Sequence, residues 1–179
     1  MKKREGTIGI GVSLFCVMFV AVIIAYMSQM YSFQSIRIDT EDALAASNLA
    51  SAVIDIEEYG ISHNIIIADP EAAYGIFKDA LKVNMRLDDA WNSSKDEISG
   101  PVEIVEYIIY NVRNEDVEIH YFGHSQYSQV ITGGKGTVTA PNGKLIESTS
   151  IYSKITFPVD AIWGIQTTAV KEQLVDIVS

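Results

Sequence analysis

The chain begins with a strongly apolar segment that constrains everything after it. Beyond the leader MKKREG (residues 1–6), no charged residue occurs before Arg37. The most apolar part runs from Ile8 to Met27, and at about 1.5 Å of helical rise per residue it is long enough to cross a hydrocarbon core of roughly 30 Å. The basic residues of the leader favour a cytoplasmic N-terminus. The sequence therefore predicts a single-pass protein of the cell membrane, with its C-terminal domain outside the cytoplasm.

The part of the chain beyond the leader is acidic and lacks disulfides. It contains 10 Lys and Arg against 22 Asp and Glu, a formal charge of −12. Such a surface repels nucleic acid and anionic lipid headgroups, so we expect no nucleic-acid partner. The sole cysteine is Cys16, inside the apolar segment. An exported domain without disulfides must be held together by packing, which favours a bacterial source.

The apolar helix is predicted to continue out of the membrane. No proline or glycine occurs from Tyr26 to Tyr59, and Gly60 is a natural helix end. An alanine-rich stretch at 43–52 allows a close neighbour, which is either this protein's own domain or other copies in an assembly. The predicted organisation is a cytoplasmic basic leader (1–6), a transmembrane helix (7–27), a helical stalk (28–60) and an extracytoplasmic α+β domain (61–179).

A second, amphipathic helix is predicted over residues 70–89. Asp69 is a good N-cap, Pro70 suits the first helical position, and Glu71 lies in the first turn. After Pro101 the pattern becomes alternating and predicts strands at 102–112, 116–122, 128–132, 136–140, 145–152, 155–159 and 162–170, with 170–178 as strand or short helix. Asn142-Gly143 predicts a tight hairpin turn. The expected fold class is α+β, with a long N-terminal transmembrane and stalk helix, a second helix and an antiparallel sheet.

No motif indicates catalysis, a cofactor or a metal site. His120 and His124 are four residues apart, but their surroundings are β-rich, and no further ligand has a zinc-motif spacing. The segment 133–137 (GGKGT) lacks the spacing of a phosphate loop and is predicted to be a hairpin turn. The carboxylates at 55, 57 and 58 are expected to form a solvated helix end. We therefore predict a protein that is not an enzyme and that holds no cofactor and no metal.

This layout resembles the type IV pilin-like proteins. A short basic start ending in Gly6, one apolar helix that continues as a stalk, and a small antiparallel sheet are most similar to the minor pseudopilins of tight-adherence (TadE-like) pilus systems. The resemblance implies cleavage by a prepilin peptidase between Gly6 and Thr7. It also implies a structural role in a pilus or secretion assembly, with other pilin-like subunits or an assembly platform as partners. The chain differs from the family in lacking a glutamate within residues 7–12.

Two other interpretations remain open from the sequence. The N-terminal segment is also compatible with a generic anchor that is never processed. The domain outside the membrane is also compatible with an anchored ligand-binding or sensory function. That function requires a pocket between helix 70–89 and the sheet, lined by Trp91, Tyr107, Tyr110 and Trp163.

Overall fold

The computed structural model describes residues 3–94, 98–160 and 166–178, with side chains from Gly9 onward. The chain divides into two compact units, Met1–Arg37 and Ile38–Ser179. The fold class is α+β, as predicted: a long N-terminal helix, shorter helices and a five-stranded antiparallel sheet.

The first helix, α1, spans Lys3–Ser51 and ends before the predicted stop at Gly60. The chain leaves the helix after Ser51, and Ile54 forms an isolated β-bridge with Ile67. Asp55 then caps a separate short helix, α2 (Ile56–Ser62), by accepting the N–H groups of Glu57 and Glu58. Gly60 therefore lies inside α2. The prediction of one helix to Gly60 was wrong because a new cap and a backbone bridge interrupt it.

The third helix, α3, spans Pro70–Met85 and begins as predicted. The Asp69 carboxylate accepts the N–H of Ala72 at 2.9 Å, and Pro70 occupies the first turn. The helix ends four residues before the predicted boundary, because Arg86 adopts a left-handed conformation with φ of 55°. Four residues spaced four apart form its buried face: Ala73, Phe77, Leu81 and Met85.

The sheet has the strand order β3-β2-β1-β4-β5, and all neighbours are antiparallel. Its strands are β1 (Glu103–Arg113), β2 (Asp116–Gly123), β3 (Gln126–Ile131), β4 (Ser150–Asp160) and β5 (Gln166–Asp176). Segments 145–152 and 155–159, predicted as separate strands, contribute to the single strand β4. The predicted strand at 136–140 is absent, since only a bridge between Thr139 and Leu145 forms there. The predicted turn at Asn142-Gly143 is confirmed, with Gly143 at φ of 85°.

The sheet is covered on both faces. On the helix face, Tyr107 of β1 contacts both α1 and α3. On the opposite face, the connection 132–149 lies over the sheet, where Ala140 and Ile146 pack with Ile108, Tyr110 and Tyr152. A strand that is buried on both faces has a nearly continuous run of apolar residues in its sequence. Strand β1 shows this pattern from position 107 to 112, where every residue is buried.

Candidate functional site

The apolar segment of α1 exposes its side chains on all sides. Every residue from Gly9 to Ser28 is exposed, including Ile10 at 73%. Within the described part of the chain, α1 is the one helix long and apolar enough to cross a membrane, by length and composition. A helix that is apolar all round needs an apolar environment to cover it. This segment is therefore the first part of the candidate site.

A shallow groove lies on the surface of this segment. It has a volume of 480 Å³ and is lined by Gly9, Ile10, Ser13, Leu14 and Val17. The Ser13 hydroxyl donates to the Gly9 carbonyl at 2.9 Å, so it is satisfied within the helix. Small residues four apart allow a second helix to approach closely in a membrane.

The predicted cleavage site lies in the same helix. The backbone at Gly6, Thr7 and Ile8 is helical as part of α1, whereas the side chains of these residues lie outside the described part of the chain. Met27, at the other end of the predicted anchor, is exposed.

In the second unit, the last turns of α1 and the residues directly after it carry an exposed apolar stripe formed by Ala46, Leu49, Ala50 and Val53. Leu49 and Val53 are 57% and 56% exposed, and both alanines are exposed. No charged residue occurs from position 43 to 54. The solvent side of a surface helix is ordinarily charged or polar, so this stripe is unusual for a helix end that faces water alone.

The apolar surface continues beyond the end of α1. Ile56 and Ile61 of α2 are almost fully exposed. A groove of 460 Å³ lies beside them, and seven residues line it: Ala52, Val53, Ile54, Ile56, Tyr59, Ile65 and Val178. The exposed apolar area therefore extends from the stripe onto α2.

The opposite side of α1 is docked on the sheet through polar contacts. The Tyr107 hydroxyl donates to Oγ of Ser51 at 2.8 Å, and burial raises the pKa of Tyr107 above its ordinary value. The Asn48 amide donates to the Gln173 carbonyl of β5 at 3.3 Å. These contacts hold the helix with its apolar stripe turned outward.

The interface between α3 and the sheet is filled. Phe77 and Tyr107 are fully buried, with ring centroids 4.6 Å apart, and Tyr74 stacks on Phe122 at 4.8 Å. Tyr110 lies on the other face of the sheet, in the cluster under residues 132–149. The structure thus separates two of the residues predicted to line one pocket.

Of the two tryptophans predicted to line that pocket, Trp91 lies within the described part of the chain. Trp91 is half-buried in the loop after α3, with the Lys82 ammonium 5.2 Å from its ring centroid. Trp163 lies outside the described residues.

A polar cleft is present at one end of the sheet. It has a volume of 670 Å³, and its lining includes His63, Asn64, Asn114, Lys135 and Thr149. Several of these groups serve the fold: the Thr149 hydroxyl donates to the Ile65 carbonyl, and Asn64 accepts the N–H of Asn114 at 3.3 Å. The sequence did not predict this cleft, because its walls come from five segments far apart in the chain.

The histidine pair is not assembled into a ligand set. His120 lies in β2, where one ring nitrogen is 2.8 Å from Oγ of Ser128 and the other is 3.3 Å from a Glu118 oxygen. His124 lies in the exposed bend after β2. Among the described residues, no group of three His, Cys, Asp or Glu side chains is placed to hold a metal ion.

Asn111 is one of several buried polar residues that the sequence pattern did not predict. The Asn111 side chain accepts the N–H of Ile67 at 2.8 Å and donates to the Ile67 carbonyl at 3.0 Å. An asparagine within the apolar pattern of β1 was the available signal, since a buried amide requires partners. It fixes the segment before α3 against the central strand.

The chain matches no family model, no curated protein and no solved structure.

Proposed function

We propose that this protein is a non-enzymatic, membrane-anchored structural subunit, pilin-like or pseudopilin-like, of a pilus or secretion assembly. Its N-terminus lies in the cytoplasm, and its sheet domain lies outside. The apolar segment of α1 holds the chain in the membrane, and the apolar stripe packs against neighbouring subunits.

The exposed apolar surface of α1 is the observation that carries this proposal. In each unit the helix presents exposed apolar side chains: Ile10 and Phe15 in the first, Ile38 and Leu49 in the second. At about 25 cal/mol for each Å² of apolar surface removed from water, covering such side chains favours association. A bilayer covers the first set, and other helices cover the second.

The filled interface between α3 and the sheet supports the structural role over ligand binding. An anchored ligand-binding domain was expected to have an aromatic pocket there. Phe77 and Tyr107 occupy that space instead.

The anchor and its processing are tested on protein taken from its native membranes. We expect the chain to resist extraction by alkaline carbonate and to require detergent. Mass spectrometry should find a new N-terminus at Thr7 where a prepilin peptidase is present. Recovery of only the uncut N-terminus, with the Gly6–Thr7 bond intact, in its presence would disprove cleavage, and release by carbonate would disprove the anchor.

The packing of the stripe is tested by cysteine cross-linking. Cys16 is the sole cysteine, so a Cys16→Ala background allows one probe at a time. Leu49→Cys should form oxidative cross-links to other subunits in native membranes. Val83→Cys is a matched control, because Val83 is an apolar residue on α3 with 76% exposure. Equal cross-linking at both positions would argue against a specific role for the stripe.

A further inference from the structure

The face of α1 that lies on the sheet is unusually polar. Six residues between positions 40 and 51 are buried at helical spacing: Thr40, Ala43, Leu44, Ser47, Asn48 and Ser51. Most of these six are polar, and Leu44 is the one large apolar side chain among them. The buried face of α3, by comparison, is entirely apolar. A surface helix ordinarily buries its apolar side, so the end of α1 is inverted, with its apolar stripe outside and its polar side inside.

Apolar packing by itself does not define the position of this helix along the sheet. The buried positions repeat every three or four residues, and Ala43, Ser47 and Ser51 are small. A slide of α1 by one helical turn, about 5.4 Å, therefore sets similar small side chains against the same strands. The ion pair of Glu41 with Lys171 is made by two long side chains, which can follow such a shift. A shorter, directional contact is needed to select one position.

The side chain of Asn48 makes such a contact. It is fully buried, and its amide donates to the Gln173 carbonyl of β5 at 3.3 Å. Because β5 is an edge strand, this carbonyl is available to α1. The amide is joined to the helix backbone through one methylene group, so it cannot follow a slide of one turn. The hydrogen bond therefore exists in one register of the helix.

The same residue lowers the stability of the fold. Within the described part of the chain, Oδ1 of Asn48 is buried without a hydrogen-bond partner, and so is Oγ of Ser153. Ser153 is the register partner of Gln173, so both oxygens belong to residues that adjoin Gln173. A buried polar atom without a partner lowers the free energy of unfolding. For stability alone, an apolar residue would be more favourable at position 48 than asparagine is.

We propose that Asn48 is a positioning residue that selects one register of α1 on the sheet. A single buried asparagine has this effect in coiled coils, where it fixes the register and lowers the stability. The apolar stripe lies on the outer side of the same turns of α1, so the register decides where the domain presents it. The register does not depend on a partner, and this role is therefore independent of the function proposed above.

Distances between spin labels test the register in the full chain in detergent micelles. In the Cys16→Ala background, labels at Leu49→Cys on α1 and Thr168→Cys on β5 report the position of the helix, since both sites are exposed. Labels at Val83→Cys and Thr168→Cys form the reference pair, which does not involve α1. Both pairs should give one narrow distance distribution while Asn48 is present.

The variant Asn48→Leu with Ser153→Ala removes both unpaired oxygens. The Gln173 carbonyl then loses its amide partner, but Gln173 is half-buried on an edge strand, where water can replace the amide. We expect the denaturant midpoint to stay unchanged or rise, because apolar cores lose uniqueness before they lose stability. The Leu49–Thr168 distribution should gain a second population or become at least about twice as broad, since register is no longer specified. The reference pair should stay narrow.

Two further variants keep the test sharp. Leu44→Met is the matched control, because it changes an apolar contact on the same buried face and leaves the Asn48 amide in place. It should leave both distance distributions narrow. Asn48→Ala separates a poor fit of leucine from loss of the positioning contact, because alanine needs no additional space. It should broaden the Leu49–Thr168 distribution in the same way.

Several results would overturn the positioning role. A Leu49–Thr168 distribution that stays narrow in both Asn48 variants would do so, and so would equal broadening in Leu44→Met. Broadening of the reference pair would indicate a general loss of packing and would also count against it. A lower midpoint with a narrow distribution would show that the asparagine serves stability instead. Cross-linking through Leu49→Cys in native membranes is a separate measurement, so failure of the stripe and failure of the positioning role are distinguishable.

Discussion

The Tyr107 hydroxyl of β1 donates a hydrogen bond of 2.8 Å to Oγ of Ser51, the last residue of α1. Ser51 in turn donates to the Asn48 carbonyl at 2.8 Å. The bond joins the end of the long helix to the central strand of the sheet, and both residues are fully buried. It holds the last turn of α1 against the sheet.

Replacing Tyr107 with phenylalanine should destabilise the second unit by about 1 kcal/mol, the usual net value of one buried hydrogen bond. The Ser51 hydroxyl keeps its acceptor, the Asn48 carbonyl, so no larger loss is expected. Denaturant unfolding of the full chain in detergent micelles measures the change. Tyr59→Phe, on the exposed side of α2, is the control and should change the free energy of unfolding by less than about 0.5 kcal/mol. An equal effect of both changes would contradict the role of the Tyr107 bond.

Replacing Asn111 with leucine should lower the free energy of unfolding by more than Tyr107→Phe does. The change removes the side-chain oxygen and nitrogen that pair with the Ile67 backbone. The buried N–H and C=O of Ile67 are then unpaired, and each unpaired group should destabilise the fold by about 1–3 kcal/mol. The readout is hydrogen exchange, which should accelerate at the Ile67 amide. The Ile146 amide, which donates to the Val138 carbonyl at 2.9 Å, is the internal reference. Unchanged protection at Ile67 would show that the side chain of Asn111 is dispensable.

Two glycine substitutions should change the stability of the protein in opposite directions. A Cβ at Gly75 on α3 meets open space, so Gly75→Ala should stabilise the helix by up to about 1 kcal/mol. A Cβ at Gly123 would lie 2.8 Å from the Val105 carbonyl oxygen, a backbone atom, so Gly123→Ala should destabilise the protein by about 1–3 kcal/mol. Thermal unfolding of the two variants in parallel checks the signs. A stabilising Gly123→Ala would show that the end of β2 can shift.

The stability of the second unit should fall in alkaline solution. Burial raises the pKa of Tyr107 and Tyr110, and the pKa of Tyr152 is raised by burial and by its hydrogen bond to Glu172. Tyrosines in the unfolded chain ionise near pH 10, while these three stay protonated in the fold. Their contribution is complete below pH 10 and is lost as the pH rises further, at about 1.4 kcal/mol per pH unit for each group.

Denaturant unfolding between pH 8 and 12 measures this dependence. The Tyr110→Phe variant should lose one group's share of the slope above pH 10 and show the same slope as the parent chain below pH 9. A slope above pH 10 that is unchanged in Tyr110→Phe would contradict the assignment.

Local signals explain the parts of the fold that were predicted correctly. The start of α3 follows from Asp69 and Pro70, because capping and a preset φ act within one turn. The turn at Asn142-Gly143 follows from the tolerance of glycine for positive φ. The apolar segment of α1 follows from composition alone. Each of these features depends on residues that are neighbours in the chain.

Only the tertiary structure decided where α1 ends, which face of the sheet each aromatic occupies, and which strands form the edges of the sheet. Ser51 meets Tyr107 across 56 residues of chain, and Asn48 meets Gln173 across 125. The strand order that makes β3 and β5 the edges depends on how β4 returns beside β1. The sequence by itself therefore determined a long apolar helix attached to an antiparallel α+β domain. The sites that follow from long-range contacts required the fold, because local periodicity carries no information about which distant segments will meet.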